Sequence, residues 1–210
     1  MQAYAWDRDG FHQSYSKSYY KARGCGAAKN RHCGCNDSQV SYSRLFFEDD
    51  QLFKARAESI VQVLGLESGS DILVIGCALG FLMEELKQLG MNVWGCDNSQ
   101  YIQSIKNKEK VGFPIHNISV LEDNFVSTVQ SKTGALWFDV VITEDLLSSH
   151  DEHSKIFAHC EQLVNPNNPK NNIVHIVDVN VSAPFTSKTR DQWKELKPDH
   201  TWLDVVGKVL

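Results

Sequence analysis

Apolar residues follow two rhythms along this chain, and the rhythms alternate. Ile72-Leu73-Val74-Ile75 is a continuous apolar run with three β-branched members. A strand covered on both faces loses its in-and-out alternation, so such a run predicts a buried parallel strand. Similar signals predict strands over 91–97, 114–118, 137–143, 173–179 and 201–206. Between them the apolar positions recur at helical spacing. Phe53, Ala57, Ile60, Val61 and Leu64 form one stripe, with Asp49 or Asp50 as its cap and Gly65 as its stop. Phe81, Leu82, Leu86 and Leu89 form a second, with Glu84, Glu85 and Lys87 off the face and Gly90 as the stop. Further helices are predicted from Ser99 to Lys108, over 121–132, and over 152–164, where Ile156, Phe157, Cys160, Leu163 and Val164 are apolar. Alternating strands and helices predict an α/β fold with a doubly wound, mostly parallel sheet.

The first strand runs directly into Gly76-x-Ala78-x-Gly80. Small residues let a turn tighten and let backbone approach a ligand closely. The helix that follows offers free amides at its start, and the next strand ends in Asp97. A β-loop-α-β unit with an acid at that tip suits a nucleoside, because a carboxylate can accept hydrogen bonds from both ribose hydroxyls. The dinucleotide fingerprint is G-x-G-x-x-G, and here the third small residue comes one position early.

Gly76-x-Ala78-x-Gly80 followed by Asp97 resembles motifs I and II of class I methyltransferases, which bind S-adenosylmethionine. Phe138-Asp-Val-Val-Ile-Thr-Glu-Asp145 resembles that family's fourth strand and the loop after it. Asn165-Pro-Asn-Asn168 stands where the family often has a Pro-Gly-Gly turn, and Ile173 to Val179 resembles strand five. The resemblance spans roughly residues 50 to 180. It implies a Rossmann-like domain with a cofactor set of Gly76, Cys77, Ala78, Gly80, Asp97, Asn98, Asn117 and Ile118. Asp97 would take the ribose hydroxyls, and Asn98, Asn117 and Ile118 would border the adenine. Many members carry Asp at the position of Asn117. Val74 stands where the family usually has an acid that reaches the methionine end through water, and Ala78 replaces the middle glycine. The family normally ends in an antiparallel pair of strands, and about thirty residues remain here after strand five.

Methyl transfer requires mainly alignment of a nucleophile with the sulfonium methyl. A base is required where the acceptor must lose a proton. Glu144, Asp145 and His150 follow strand four, the rim where acceptors sit in this family, and form the candidate catalytic set. Aligned on Phe138-Asp139, Ser149 occupies the place where many members have a histidine, and His150 comes one residue later. Its alternative reading is an exposed histidine at a helix start. Asp139 is read as a tether for backbone, Asp178 as a pocket-lining acid, and His175 as an interior side chain.

The composition is 42% hydrophobic and 22% charged, that of an ordinary soluble domain. No apolar run approaches the ~20 residues that span a bilayer. The N-terminus lacks the basic-then-apolar pattern of an export signal, so a cytoplasmic location without membrane contact is expected. A net charge of −5 argues against a protein that holds long nucleic acid by counterion release. Residues 1–40 hold six Lys/Arg against three Asp/Glu, which leaves room for a small basic contact surface there.

The same region carries Tyr4, Trp6, Phe11, Tyr15, Tyr19 and Tyr20, read as a lid or as anchors for a terminal arm. It also carries Cys25, His32, Cys33 and Cys35 within eleven residues. Thiolates so gathered suit tetrahedral zinc, with His32, His12 or a distant group as fourth ligand. The C-x₇-C-x-C spacing departs from the usual C-x₂₋₄-C, and a disulfide, an iron–sulfur centre or unliganded thiols are the alternatives. Cys77, Cys96 and Cys160 are read as packing residues. The expected organisation is an N-terminal arm over 1–48 and a methyltransferase-like domain over 49–210. The expected function is methylation of a small molecule or a protein side chain with S-adenosylmethionine, with Zn2+ as a possible second cofactor. The alternatives are a binding or assembly module that keeps the fold without turnover, or another reaction on the same nucleoside such as aminopropyl transfer or cleavage. The sequence carries no sign of oligomeric state.

Overall fold

A computed structural model describes residues 51–210, apart from 79, 99–113, 148–149, 169–171, 178, 180–187 and 205–206. Six strands, β1 (Asp71–Ile75), β2 (Asn92–Cys96), β3 (Ile115–His116), β4 (Val140–Glu144), β5 (Ile173–Val177) and β6 (Thr201–Asp204), form one sheet in the order β3-β2-β1-β4-β5-β6. Every neighbouring pair is parallel. The helices are α1 (Gln51–Leu64), α2 (Phe81–Gln88), α3 (Phe125–Thr133), α4 (His153–Leu163) and α5 (Arg190–Leu196).

Two apolar cores lie on opposite faces of this sheet. On one, α1 and α2 bring Phe53, Ala57, Ile60, Leu82, Met83 and Leu86 against Ile72, Val74, Val140, Ile142, Val174 and Ile176. On the other, α3, α4 and α5 bring Phe125, Val129, Ile156, Phe157, Cys160 and Trp193 against Leu73, Ile75, Val141, Ile173, Val177 and Trp202. Residues 72 and 74 of β1 face one core and residues 73 and 75 the other, which is why its apolar run is unbroken. Gly95 lets β2 approach α2 closely. A Cβ there would lie 2.4 Å from Met83 Sδ and 2.8 Å from Cys77 Sγ.

Register places the functional end. Ile75 pairs with Cys96 on one side and with Thr143 on the other, so Gly76, Asp97 and Glu144 emerge at the same height from the three central strands. Ligands of open parallel sheets bind beyond the carboxyl ends of the strands, where the strand order reverses. Here that crevice lies between β1 and β4.

Four expectations are corrected. Leu89 lies off the buried stripe and is 38% exposed, because it caps α2 and Gly90 (φ +88°) turns the chain away. The helix expected from residue 121 starts at Phe125. A hydrogen-bonded turn precedes it, with the Leu121 amide donating to Ser119 Oγ and the Glu122 amide to the Ser119 carbonyl. Strand four starts at Val140, and Trp137 before it is 45% exposed. The last strand is not half of an antiparallel pair within the sheet. Among the described residues β6 pairs directly and in parallel with β5, ends at Asp204, and meets an isolated antiparallel bridge from Leu203 to Val209. Asp204 turns the chain there, its carboxylate and amide bonding to the Lys208 amide and carbonyl. The helix expected from Ser99 to Lys108 lies outside the described residues.

Candidate functional site

The loop after β1 is pinned to the tip of β2. The Gly76 and Cys77 amides both donate to the Cys96 carbonyl, at 2.9 and 3.3 Å. Gly76 sits at φ +75°, and a Cβ on it would come within 3.2 Å of the Glu144 carbonyl oxygen, so glycine satisfies both the backbone angle and the close approach to β4. Gly80 closes the loop, its amide donating to the Cys77 carbonyl as α2 begins.

Asp97 is 4% exposed, its amide donating to the His116 carbonyl and its Oδ2 accepting from the Ala78 amide at 3.0 Å. The carboxylate therefore fixes the loop as well as facing the crevice. Asp97 borders a small open cleft together with Ile75, Gly76, Cys96, Asn98, Ile118, Val120, Leu146 and His150. Gly76, Asp97, Asn98 and Ile118 are thus brought together at this cleft. Asn117 is exposed and is not among the lining residues. Cys77 is buried in the α1/α2 core, so its side chain contributes packing. Burial raises the Cys77, Cys96 and Cys160 thiols well above their ordinary range and keeps them protonated, the state of packing residues rather than nucleophiles. Val120 and Leu146 carried no sequence signal beyond being apolar.

The candidate catalytic residues occupy three environments. His150 lines the cleft, with Nδ1 3.0 Å from the Leu146 carbonyl. A carbonyl only accepts, so Nδ1 carries the proton in the neutral ring and Nε2 is its basic nitrogen. Asp145 turns the chain out of β4 at φ +48°, its amide donating to the Ile176 carbonyl. Ala78, at φ +47°, is the other non-glycine with positive φ among the described residues, so both strained positions fall at this end of the sheet.

Glu144 is paired with Arg56, a residue that the motif analysis missed. Arg56 Nη1 lies 3.1 Å from Glu144 Oε1, and the two side chains are 7% and 10% exposed. Burial pushes the Glu144 carboxyl up to about 7; Arg56 opposes this, while Asp145 and Asp97 add to it. The sequence did hold a signal for Arg56. Phe53, Arg56, Ala57 and Ile60 stand at i, i+3, i+4 and i+7, which puts the guanidinium on the buried stripe of α1.

Asp139 accepts from the Asp71 amide at 2.9 Å, the tether expected of it, and His175 is an interior side chain with partners on both ring nitrogens. Asp178, Cys25, His32, Cys33 and Cys35 lie outside the described residues, as do residues 1–48 as a whole. Among the described residues no group of three or more His, Cys, Asp or Glu side chains is placed to hold a metal ion. Among the same residues no helix is long and apolar enough to cross a membrane.

A parallel sheet in this order, with a glycine-bounded loop at the first strand tip and a buried acid at the second, defines a Rossmann-like fold. Residues 73–168 match a family model described as a methyltransferase domain. Over 124 residues the chain is 27% identical to the ubiquinone biosynthesis O-methyltransferase of Pasteurella multocida (strain Pm70), covering 56% of this chain and 51% of that protein. The chain spans about half the length of this relative. Among solved structures it is similar to the magnesium protoporphyrin IX methyltransferase of Synechocystis PCC 6803 with bound S-adenosylmethionine (TM-score 0.49, 19% identity, 75% of this chain and 70% of that one). The plantazolicin methyltransferase BpumL bound to S-adenosylhomocysteine is a further neighbour (TM-score 0.44, 18% identity, 56% and 45%). Over residues 73–168 the chain is thus similar to methyltransferase domains.

Proposed function

We propose that this protein transfers a methyl group from S-adenosylmethionine to an oxygen or nitrogen of a small molecule or peptide. The observation that carries the reading is the Asp97 carboxylate, held at the tip of β2 by the Ala78 amide and bordering the cleft beside Gly76, Asn98 and Ile118. These residues fit the cofactor. The acid accepts from ribose hydroxyls, the glycine admits the ligand where a Cβ would crowd Glu144, and Ile118 offers an apolar wall to adenine. Bound there, S-adenosylmethionine supplies an electrophilic methyl group on its sulfonium. The chain's own residues align the acceptor and take its proton. His150, with Nε2 as the basic nitrogen, is the base for an acceptor with an ionisable hydroxyl or N–H, and Asp145 orients it at the same rim. The acceptor class draws support from the relative named an O-methyltransferase.

Calorimetric titration of the intact protein with S-adenosylmethionine and S-adenosylhomocysteine tests the reading. Saturable binding of both supports a cofactor-using enzyme. Absence of both overturns it in favour of a module that keeps the fold without turnover, an arrangement that the apolar Val74, buried against α1 and α2, would permit. With an acceptor in hand, His150→Gln is expected to lower kcat about 10²–10⁴-fold while leaving S-adenosylhomocysteine affinity within about twofold. An unchanged kcat would remove His150 from the chemistry.

A further inference from the structure

Away from the cleft, on the α4/α5 face of the sheet, three polar side chains form a row through an aromatic core. Thr143 Oγ1 on β4 lies 2.8 Å from His175 Nδ1 on β5. His175 Nε2 lies 2.9 Å from His200 Nδ1, just before β6. His200 Nε2 faces Glu161 Oε1 of α4 at 3.5 Å, and that carboxylate is also held by Lys197 Nζ at 2.5 Å. Phe157 and Trp202 wall the row, with ring centroids 5.1 and 4.6 Å from that of His175. The Thr143, His175 and His200 side chains are buried, while Glu161 is 39% exposed.

The carboxylate orients the whole row. Glu161 accepts only, so His200 presents Nε2–H to it and keeps a lone pair on Nδ1. His175 therefore donates through Nε2–H to His200, which leaves its own Nδ1 to accept from the Thr143 hydroxyl. This neutral arrangement matches the Thr143–His175 and His175–His200 contacts, while His200 Nε2 faces Glu161 at 3.5 Å without a hydrogen-bond partner of its own. Protonating both would set two N–H donors and two positive charges against each other 2.9 Å apart, in a site that water does not reach.

We propose that the row Thr143–His175–His200, ending at Glu161, is a proton-sensitive latch that fixes β6 to the sheet and releases it on acidification. The charged and titratable groups around it are His153 and Glu161 from α4, and Lys197 and Asp199 from the turn after α5. Burial comes first in holding both imidazoles below their ordinary range. His200 and His153 reinforce it at His175, and Lys197 reinforces it at His200 against Asp199 and Glu161. Release has a consequence at the other face of the sheet. The turn after β6 packs on α1, where Ser59 Oγ donates to the Gly207 carbonyl and a Cβ on Gly207 would lie 3.0 Å from Arg56 Cα. The latch therefore also braces the helix that carries Arg56 to Glu144.

The sign follows from linkage. The opened state takes up protons near pH 6.5 and the latched state resists them, so the latch is fully effective above about pH 6.5 and weakens as pH falls below it. With two such imidazoles, opening at pH 5.5 rises up to about 100-fold over pH 7.5, and with one about tenfold. Amide hydrogen exchange of the intact protein without ligand, corrected for intrinsic rates, measures this. Protection of the Leu203 amide should fall up to about 100-fold between those pH values, and more than that of Leu73 and Val74 in β1. In His200→Asn, whose amide oxygen can still accept from His175, the fall should shrink to about tenfold. Equal falls in β1 and β6, or no difference between wild type and variant, would overturn the latch. If His200→Asn does not fold, nitrogen-15 NMR of the wild-type imidazoles at pH 8 decides. Both rings should be unprotonated at Nδ1 and protonated at Nε2, and a proton on either Nδ1 would overturn it.

Discussion

Asp97→Ala will weaken S-adenosylhomocysteine binding by about 10²–10⁴-fold. A hydrogen bond to a charged group contributes about 1.5–3 kcal/mol. Two ribose hydroxyls on one carboxylate are therefore a loss of about 3–6 kcal/mol, and each 1.4 kcal/mol is tenfold in affinity. The same substitution removes the acceptor of the Ala78 amide, so the loop at φ +47° loses the contact that offsets its strain. Asp97→Asn separates the two effects. Its amide oxygen can still accept from Ala78 while the charge is lost, so it should bind more tightly than the alanine variant and more weakly than the parent. Calorimetry gives the affinities, and circular dichroism with a thermal midpoint shows whether each variant is folded. Unchanged affinity in a folded Asp97→Ala protein would mean that the nucleoside is not held at the tip of β2.

The second large effect concerns stability. Arg56→Met should destabilise the fold by about 3–5 kcal/mol at pH 8, because it leaves the Glu144 charge buried without a partner. The pH dependence identifies the cause. Glu144 already has a folded value of about 7, above the 4.5 of the unlinked group, and Arg56 is what restrains it from rising further. Without Arg56 that value climbs. A carboxyl raised by folding contributes stability when protonated and loses it as pH rises through the folded value. The deficit of Arg56→Met should therefore shrink on acidification from pH 8 towards 5.5. Adding Glu144→Gln removes the charge altogether and should recover much of the loss at pH 8. Urea unfolding of the parent, the single and the double variant at both pH values measures this. A deficit that is constant with pH would show that Arg56 contributes packing rather than charge.

These two expectations differ in how much of their basis was legible in the chain. Asp97 was visible because its meaning is local. A strand, a small-residue loop, a helix and an acid at the next strand tip all fall within Asp71–Asp97, and each is set by short-range periodicity or backbone freedom. The alternation of strands and helices, the apolar run of β1 and the packing role of the buried thiols were legible for the same reason. The ends of elements were less so. Leu89, residues 121–124 and Trp137 fit a periodic pattern, but caps and turns ended the element before the pattern did.

What only the tertiary structure decided are the contacts between residues far apart in sequence. Arg56 and Glu144 are 88 residues apart, Thr143 and His175 are 32, and His175 and His200 are 25. A one-dimensional pattern can show that Arg56 faces inward. It cannot show that strand order brings Glu144 beneath it. The direct parallel pairing of β6 with β5 belongs to the same class, because strand order follows from which faces are covered and how the crossovers run. The sequence by itself therefore determined the elements and the glycine-bounded loop after β1, whose physics is local. The sheet order determined the buried ion pair and the imidazole row, because a charge or a ring nitrogen in the core acquires its meaning from whichever partner the fold sets against it.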